Sequence, residues 1–531
     1  MKKIFLLNNK KIFKFVKYAL ITLLVLFLLL VAAMAVRLLY APKLQPWHTF
    51  VPEELTAAEL DKSDWQEYIA RENKIFEDVR REVVLKIPQS GRNLINRYFE
   101  GSLIYPPRFK EDWNRSYILT PKNPRGAVVL LHGLTDSPYS LRHVARLYYL
   151  KGFIVVGLRT PGHGTVPAAL TKITWKEWMA AARLAVRQAD KLRPKGAPLH
   201  VVGFSQGGAL TVKYALDALE DEALARPDRL ILISPMIGIT RLSKVAEIIA
   251  LPSILPGFEM AQWLSIIPEF NPFKYNSFPV NAVKQARLLI SDMRRQTVRL
   301  HRSGLIQELP PVITFQSIAD YTVSTPALIN DLYGYLPDNE SELVVFDINR
   351  DTIFIPLVRP VFINMTSKML PDLPQRYRTT IIGNASPGEP GAVERTAPPG
   401  TTDFIARALG LAYPPDVFSL SHISLSFPEN DPLYGSSPDP KTKDEFGLNL
   451  GLISNAQGER GVLEINTNIF FRISSNPLFP YLAQRIDDII DNAPGRPEKP
   501  AAKTGAAPKA KITEKEYDAG MKEAYYNAAP F

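Results

Sequence analysis

The chain has 531 residues, 46% of them hydrophobic, no cysteine and a formal net charge of +10. This much apolar surface supports one large core or two ordinary ones, which excludes a disordered polymer, and the missing thiols exclude a disulfide framework, a thiolate metal site and a lipid anchor on cysteine. The charge sits at the ends: residues 1–43 carry eight Lys/Arg and no acid, residues 492–531 carry seven basic and five acidic side chains, and the body between them is neutral, which leaves no basic field for nucleic acid.

The first element in chain order is YALITLLVLFLLLVAAMAV, residues 18–36, a run of 19 residues without a charge. A run of that length is about enough to span a bilayer core. Six lysines precede it, at positions 2, 3, 10, 11, 14 and 17, whereas only Arg37 and Lys43 follow closely. The positive-inside rule therefore predicts a basic cytoplasmic tail over 1–17, an N-terminal transmembrane helix over 18–40 and an extracytoplasmic body, that is, a single-pass protein of the inner (cytoplasmic) membrane facing the periplasm. Ala33-Met34-Ala35 also fits a signal-peptide cleavage site, but the apolar run exceeds the usual h-region of about 7–15 residues, so the uncleaved anchor is preferred.

Residues 41–97 read as a polar stalk followed by one amphipathic helix, with Trp65, Ile69, Phe76, Val79 and Val83 at near-helical spacing. Short apolar runs then alternate with helical patterns: GAVVLLHG (126–133), GFIVVGL (152–158), LHVVGF (199–204), RLILISP (229–235), PVITFQS (311–317) and ELVVFDI (342–348). Near-continuous Val/Ile/Leu strands separated by helices predict an α/β domain over 98–492 whose mostly parallel sheet is covered on both faces. Residues 236–300 are an expected cap, and the apolar stretch IIALPSILPGFEMAQWLSIIPEFNPF within it either lines an acyl pocket or packs the cap onto the core. The Pro/Gly-rich segment over about 350–416 is an expected surface insertion, and the Ala/Pro/Lys-rich residues 493–531 an expected disordered tail.

One stretch carries the chemistry: GFSQGG sets Ser205 between Gly203 and Gly207, after a strand and before a helical pattern. A serine held at a sharp strand-to-helix turn needs neighbours without a Cβ, and such a turn pushes Oγ out of the sheet; a plain βα turn with a capping serine reads the same on the pentapeptide alone. A nucleophilic hydroxyl also needs a base, an acid to orient the base, and donors for the oxyanion. In chain order Ser, acid, His, the acid is Asp320, just past the strand PVITFQS, with Asp338 and Asp347 as fallbacks, and the base is His422, the histidine that follows it. The oxyanion donors are the backbone N–H groups of Gln206 and Leu134, the second from the loop LLHGLTDSP. His132 and His163 read as loop-pinning residues; His143, His200 and His301 read as ordinary packed or surface side chains, and His48 carries no argument.

The ordered landmarks HG, PGHGT, GFSQGG and an Asp-then-His pair, with Trp175 and Trp178 in the helix after PGHGT, resemble the α/β-hydrolase superfamily of serine hydrolases over about residues 126–427. Within it, the likeness is to bacterial carboxylesterases and monoacylglycerol lipases. The resemblance implies an α/β-hydrolase fold with an inserted cap, no cofactor and no metal. It implies Ser205 as nucleophile, Asp320 as orienting acid, His422 as base and Leu134 and Gln206 as oxyanion donors, acting on a carboxylic ester with an apolar acyl group. A peptidase or acyltransferase on the same scaffold, and a non-catalytic membrane-tethered binding module, are the alternatives.

Overall fold

The computed structural model describes residues 13–25, 28–29, 32, 42–238, 259–370, 372–453, 457–465 and 472–493. Its centre is a ten-stranded sheet: β1 (Tyr117–Leu119), β2 (Gly126–Leu131), β3 (Phe153–Leu158), β4 (Leu199–Phe204), β5 (Arg229–Ile233), β8 (Val312–Ser317), β9 (Glu342–Phe346), β10 (Arg378–Asn384), β11 (Gly391–Ala397) and β12 (Ile405–Ala412), in the order β1-β3-β2-β4-β5-β8-β9-β10-β11-β12. A separate two-stranded ladder joins β6 (Trp263–Ser265) and β7 (Phe278–Pro279). From β3 to β10 all strands of the large sheet run parallel, and β1, β11 and β12 pair antiparallel at its two ends.

The alternation of side chains across each strand explains why these runs are apolar throughout. Ala127, Val129, Leu131, Val156 and Val201 face one core, with helices α3 (Trp175–Leu192), α4 (Gln206–Glu220) and α5 (Val280–Ser303). Val128, Leu130, Val155 and Val202 face the other, with α2 (Arg142–Leu150) and α6 (Phe479–Asp491). Both faces being buried, no position in β2, β3 or β4 tolerates water. Local signals agree: the Thr174 and Glu177 capping box opens α3, and Gly304 in the left-handed region, φ 82°, closes α5.

The amphipathic helix before the sheet is α1 (Trp65–Val79), which buries Trp65, Tyr68, Ile69, Ile75 and Val79 and, less expectedly, Glu72. The expected insertion over 350–416 does more than run over the surface. It adds β10 parallel to β9, with Thr380 opposite Val344, and then turns back through β11 and β12.

The expected transmembrane helix is corrected. Among the described residues no helix is long and apolar enough to cross a membrane. The anchor over 18–40, the membrane partner and the inner-membrane placement with a periplasmic body are therefore not supported. The remainder of that run (residues 26–27, 30–31 and 33–40), residues 239–258 of the expected cap and the tail beyond 493 lie outside the described residues.

Candidate active site

The turn between β4 and α4 answers why two glycines flank the serine. Ser205 sits at φ 53°, ψ −115°, a conformation L residues rarely adopt. The tight turn leaves no room beside it: a Cβ on Gly203 would lie 2.3 Å from the Gly207 carbonyl oxygen, and one on Gly207 would lie 1.8 Å from that of Leu131. The clash at Gly207 is with the backbone of β2, which cannot step aside. Gly207→Ala is expected to cost about 3 kcal/mol or more, seen as loss of soluble folded protein or a large drop in the urea midpoint. The Ser205 N–H donates to Ile233 O at 3.0 Å and its carbonyl accepts from Met236 N at 2.8 Å, which holds the strained residue in place.

The three residues nominated from chain order lie in one hydrogen-bonded line. Ser205 Oγ is 2.9 Å from His422 Nε2, and His422 Nδ1 is 2.7 Å from Asp320 Oδ2. The other carboxylate oxygen of Asp320 accepts the backbone N–H groups of Thr322 (2.8 Å) and Val323 (3.0 Å), and Gln316 Nε2 reaches Oδ2 at 3.3 Å. Burial alone would raise the Asp320 pKa; the His422 ring, by charge and hydrogen bond, the Val323 N–H and the Arg472 guanidinium outweigh it and hold the carboxyl below its ordinary value. Both ends of the line sit at the carboxyl edge of the parallel strands, where open α/β sheets place their sites. The fallback acids are elsewhere: Asp347 binds Thr366 and Arg350, and Asp338 is exposed.

Around the serine, Gln206 is the first residue of α4, so its N–H has no acceptor within the helix. Leu134 follows Gly133, at which a Cβ would stand 3.2 Å from Ser205 Cβ; the loop after β2 thus passes directly beside Ser205. That loop is pinned as the sequence suggested. His132 accepts the Thr160 N–H on Nε2 at 3.0 Å and lies 2.9 Å from Gly133 O on Nδ1. Burial and the neighbouring His163 push the His132 pKa well down. His163, lowered to about 3 by burial, contacts Thr160 Oγ1 at 2.9 Å. His200 pairs with Tyr148 and His143 with Asp431. His48, which carried no argument, packs edge-on to Trp263 and bonds Ser277 Oγ at 3.0 Å, joining the N-terminal segment to the segment before α5.

Three features had no signal in sequence. Glu459, from the C-terminal segment, accepts the His422 backbone N–H, and Arg472, paired with it, donates to the Thr322 hydroxyl on the Asp320 loop. Arg159, just before PGHG, is fully buried between Glu54 and Glu72. Asp136, in the loop beside Ser205, is a buried carboxyl with its pKa raised to about 6, because burial outweighs Lys274, the Ser137 N–H, Ser140 and His422. The sign follows from linkage: a carboxyl that titrates at 3.8 unfolded and about 6 folded favours folding fully below pH 3.8, and that contribution is lost as pH rises through 6. Asp136→Asn, which mimics the protonated form, is expected to raise stability at pH 7.5 by on the order of 2 to 3 kcal/mol. Urea unfolding across pH 4 to 7.5 checks it: the gain over wild type must shrink toward zero at the acid end.

Part of the chain is similar to known proteins. Residues 122–320 match the family model described as serine aminopeptidase, S33. The thermostable monoacylglycerol lipase of Bacillus sp. (strain H-257) is 24% identical over 224 residues, which cover 41% of this chain and 79% of that protein. Among solved structures, one of the metagenome-derived lipolytic enzymes LipS and LipT is 23% identical and covers 44% of this chain and 88% of its own, with a TM-score of 0.36. A soluble variant of the monoglyceride lipase from Saccharomyces cerevisiae is 16% identical, with coverages of 43% and 80% and a TM-score of 0.33. The family match over residues 122–320 and the lipase relative, with the parallel sheet and its strained serine, support a serine hydrolase of the α/β-hydrolase superfamily.

Proposed function

We propose that the chain hydrolyses carboxylic esters, of a lipid or a small acyl alcohol, through Ser205, His422 and Asp320. The observation that carries this reading is the unbroken line from Ser205 Oγ through both ring nitrogens of His422 to Asp320, at 2.9 and 2.7 Å. In that line the Ser205 hydroxyl attacks the ester carbonyl while His422 Nε2 takes its proton, and Asp320 steadies the imidazolium through Nδ1–H. The tetrahedral oxyanion forms against the N–H groups of Gln206 and Leu134. His422 returns the proton to the departing alkoxide, and water, activated by the same ring, releases the acid from Ser205.

The ester preference draws support from the relative described as a monoacylglycerol lipase and from the apolar surroundings: Phe204 lies 5.4 Å from the His422 ring, and Met236 and Ile237 are buried next to the turn. The test is a panel of p-nitrophenyl esters of rising chain length beside aminoacyl p-nitroanilides. Ester turnover that vanishes in Ser205→Ala is the expected result; anilide turnover without ester turnover would transfer the reading to a peptidase.

A further inference from the structure

The base in the proposed relay hangs on a loop that meets the sheet at Ser317, whose hydroxyl donates to Leu420 O at 2.8 Å, and that loop is also held by a pair of charges from beyond residues 122–320, the span that matches the family model. His422 belongs to residues 417–424, which lie between two short stretches of the C-terminal segment. Phe418 N donates to Gln457 O at 2.8 Å, and Ile473 N donates to Gly458 O at 3.0 Å. Ser421 Oγ donates to Ile473 O at 2.6 Å. Within this frame Glu459, with a side chain 0% exposed, aims its carboxylate at the histidine's own backbone. Oε2 accepts the His422 N–H at 2.9 Å and the Arg472 guanidinium at 2.6 Å, and Oε1 accepts the Arg460 N–H at 2.7 Å. Arg472 then crosses to the acid: its NH2 group donates to Thr322 Oγ1 at 3.0 Å, and Thr322 N donates to Asp320 Oδ1 at 2.8 Å.

A buried carboxylate is costly unless paired, and here it is spent where a neutral acceptor would serve for the N–H alone. Resting on the reading of Ser205, His422 and Asp320 as the relay, we propose that Glu459 and Arg472 are positioning residues, a charged strut that sets the base loop and the acid loop in register so that His422 meets both Ser205 and Asp320. The strut also sets the local field. The charged groups around the imidazole are Asp320 on the acid loop, Asp136 on the loop after β2, Lys274 before β7, and Glu459 with Arg472 on the C-terminal segment. Glu459 and Arg472 cancel one another, so removing either leaves the other uncompensated beside the ring.

The two single changes therefore have opposite electrostatic signatures. Glu459→Gln keeps an acceptor for the His422 N–H but leaves the Arg472 cation unopposed, disfavouring the imidazolium, so the acid limb of kcat/KM against pH moves to lower pH. Arg472→Met leaves the Glu459 anion unopposed, and the limb moves to higher pH; Arg472→Lys restores the charge and returns the limb toward wild type. Because a misplacement of about 1 Å costs on the order of 100-fold, kcat falls by about that factor in Glu459→Gln and Arg472→Met while KM for a p-nitrophenyl ester stays within about twofold.

The experiment is the pH profile of the full chain and these three variants, with thermal unfolding and fluorophosphonate labelling run in parallel. Opposite movement of the acid limb with a kcat loss at steady KM supports the strut. Wild-type kcat in both neutralised variants overturns it, as does a loss of activity that follows the fall in Tm with no movement of the limb, which marks a purely structural pair. Arg472, 14% exposed, keeps the test available should Glu459→Gln fail to fold. A wild-type chain that takes no label overturns the relay itself, an outcome separate from any result on the strut.

Discussion

Ser205→Ala is expected to lower kcat for ester hydrolysis by about 10⁶-fold while leaving the fold intact, the loss seen when a nucleophile that acts as one unit with its base is removed. His422→Ala should cost nearly as much, and the double variant little more than either single one, because each already breaks the same proton path. Asp320→Asn should fall short of these, at about 10⁴-fold, since the amide can still occupy the Thr322 and Val323 N–H groups but no longer sets the tautomer of His422. The measurement is kcat and KM on a soluble p-nitrophenyl ester, with circular dichroism to show that the variants remain folded. Additive losses in the double variant would contradict a single relay.

The second large effect concerns stability. Arg159 is 0% exposed, and all three of its guanidinium nitrogens are engaged: Nε with Glu72 at 2.8 Å, NH1 with Glu54 at 2.7 Å and with His163 O at 3.1 Å, and NH2 with Glu54 at 3.0 Å. Glu54 also accepts the Gly162 N–H at 2.7 Å, and Glu72 accepts both the N–H and the hydroxyl of Ser116. Burial by itself would lower the arginine's pKa, but Glu54, Tyr68 and Glu72 outweigh it and fix the positive charge. Arg159→Met would strand two buried carboxylates, and breaking a buried pair from one side costs about 3 to 5 kcal/mol. Chemical denaturation should show that loss. It should be accompanied by weakened ester hydrolysis, because Arg159 leads into the Thr160–His132 contacts that pin the loop beside Ser205. Replacing Arg159, Glu54 and Glu72 together by apolar residues should recover part of the stability, whereas a cost below about 1 kcal/mol for Arg159→Met would show the cluster to be inessential.

How far the sequence spoke depended on whether a feature leaves a local pattern. The strands β2, β3, β4, β5, β8 and β9 are buried on both faces, so their Val/Ile/Leu runs announce them. β11 and β12 do not announce themselves: Glu394 on β11 is buried only because Arg407 and Tyr481 meet its carboxylate, and β12 is largely exposed at the sheet edge. A run such as IARALGLA then reads as neither strand nor helix. The serine was legible because the turn demands glycine at two fixed distances, and the histidine because so few follow the acid in the chain. The Arg159 cluster was not, since its carboxylates arrive from 105 and 87 residues upstream; nor was the Glu459–Arg472 pair, two isolated charges in loops without periodicity. The N-terminal apolar run carried a strong compositional signal for a membrane span, yet among the described residues no helix is long and apolar enough to cross a membrane.

A fluorescent fluorophosphonate tests, without knowledge of the substrate, whether Ser205 is an activated nucleophile. The expected result is one label per chain, mapped by peptide mass to Ser205, absent in Ser205→Ala and sharply reduced in His422→Ala. A folded wild-type chain that takes no label, or takes it at another residue while Ser205→Ala labels unchanged, would contradict it.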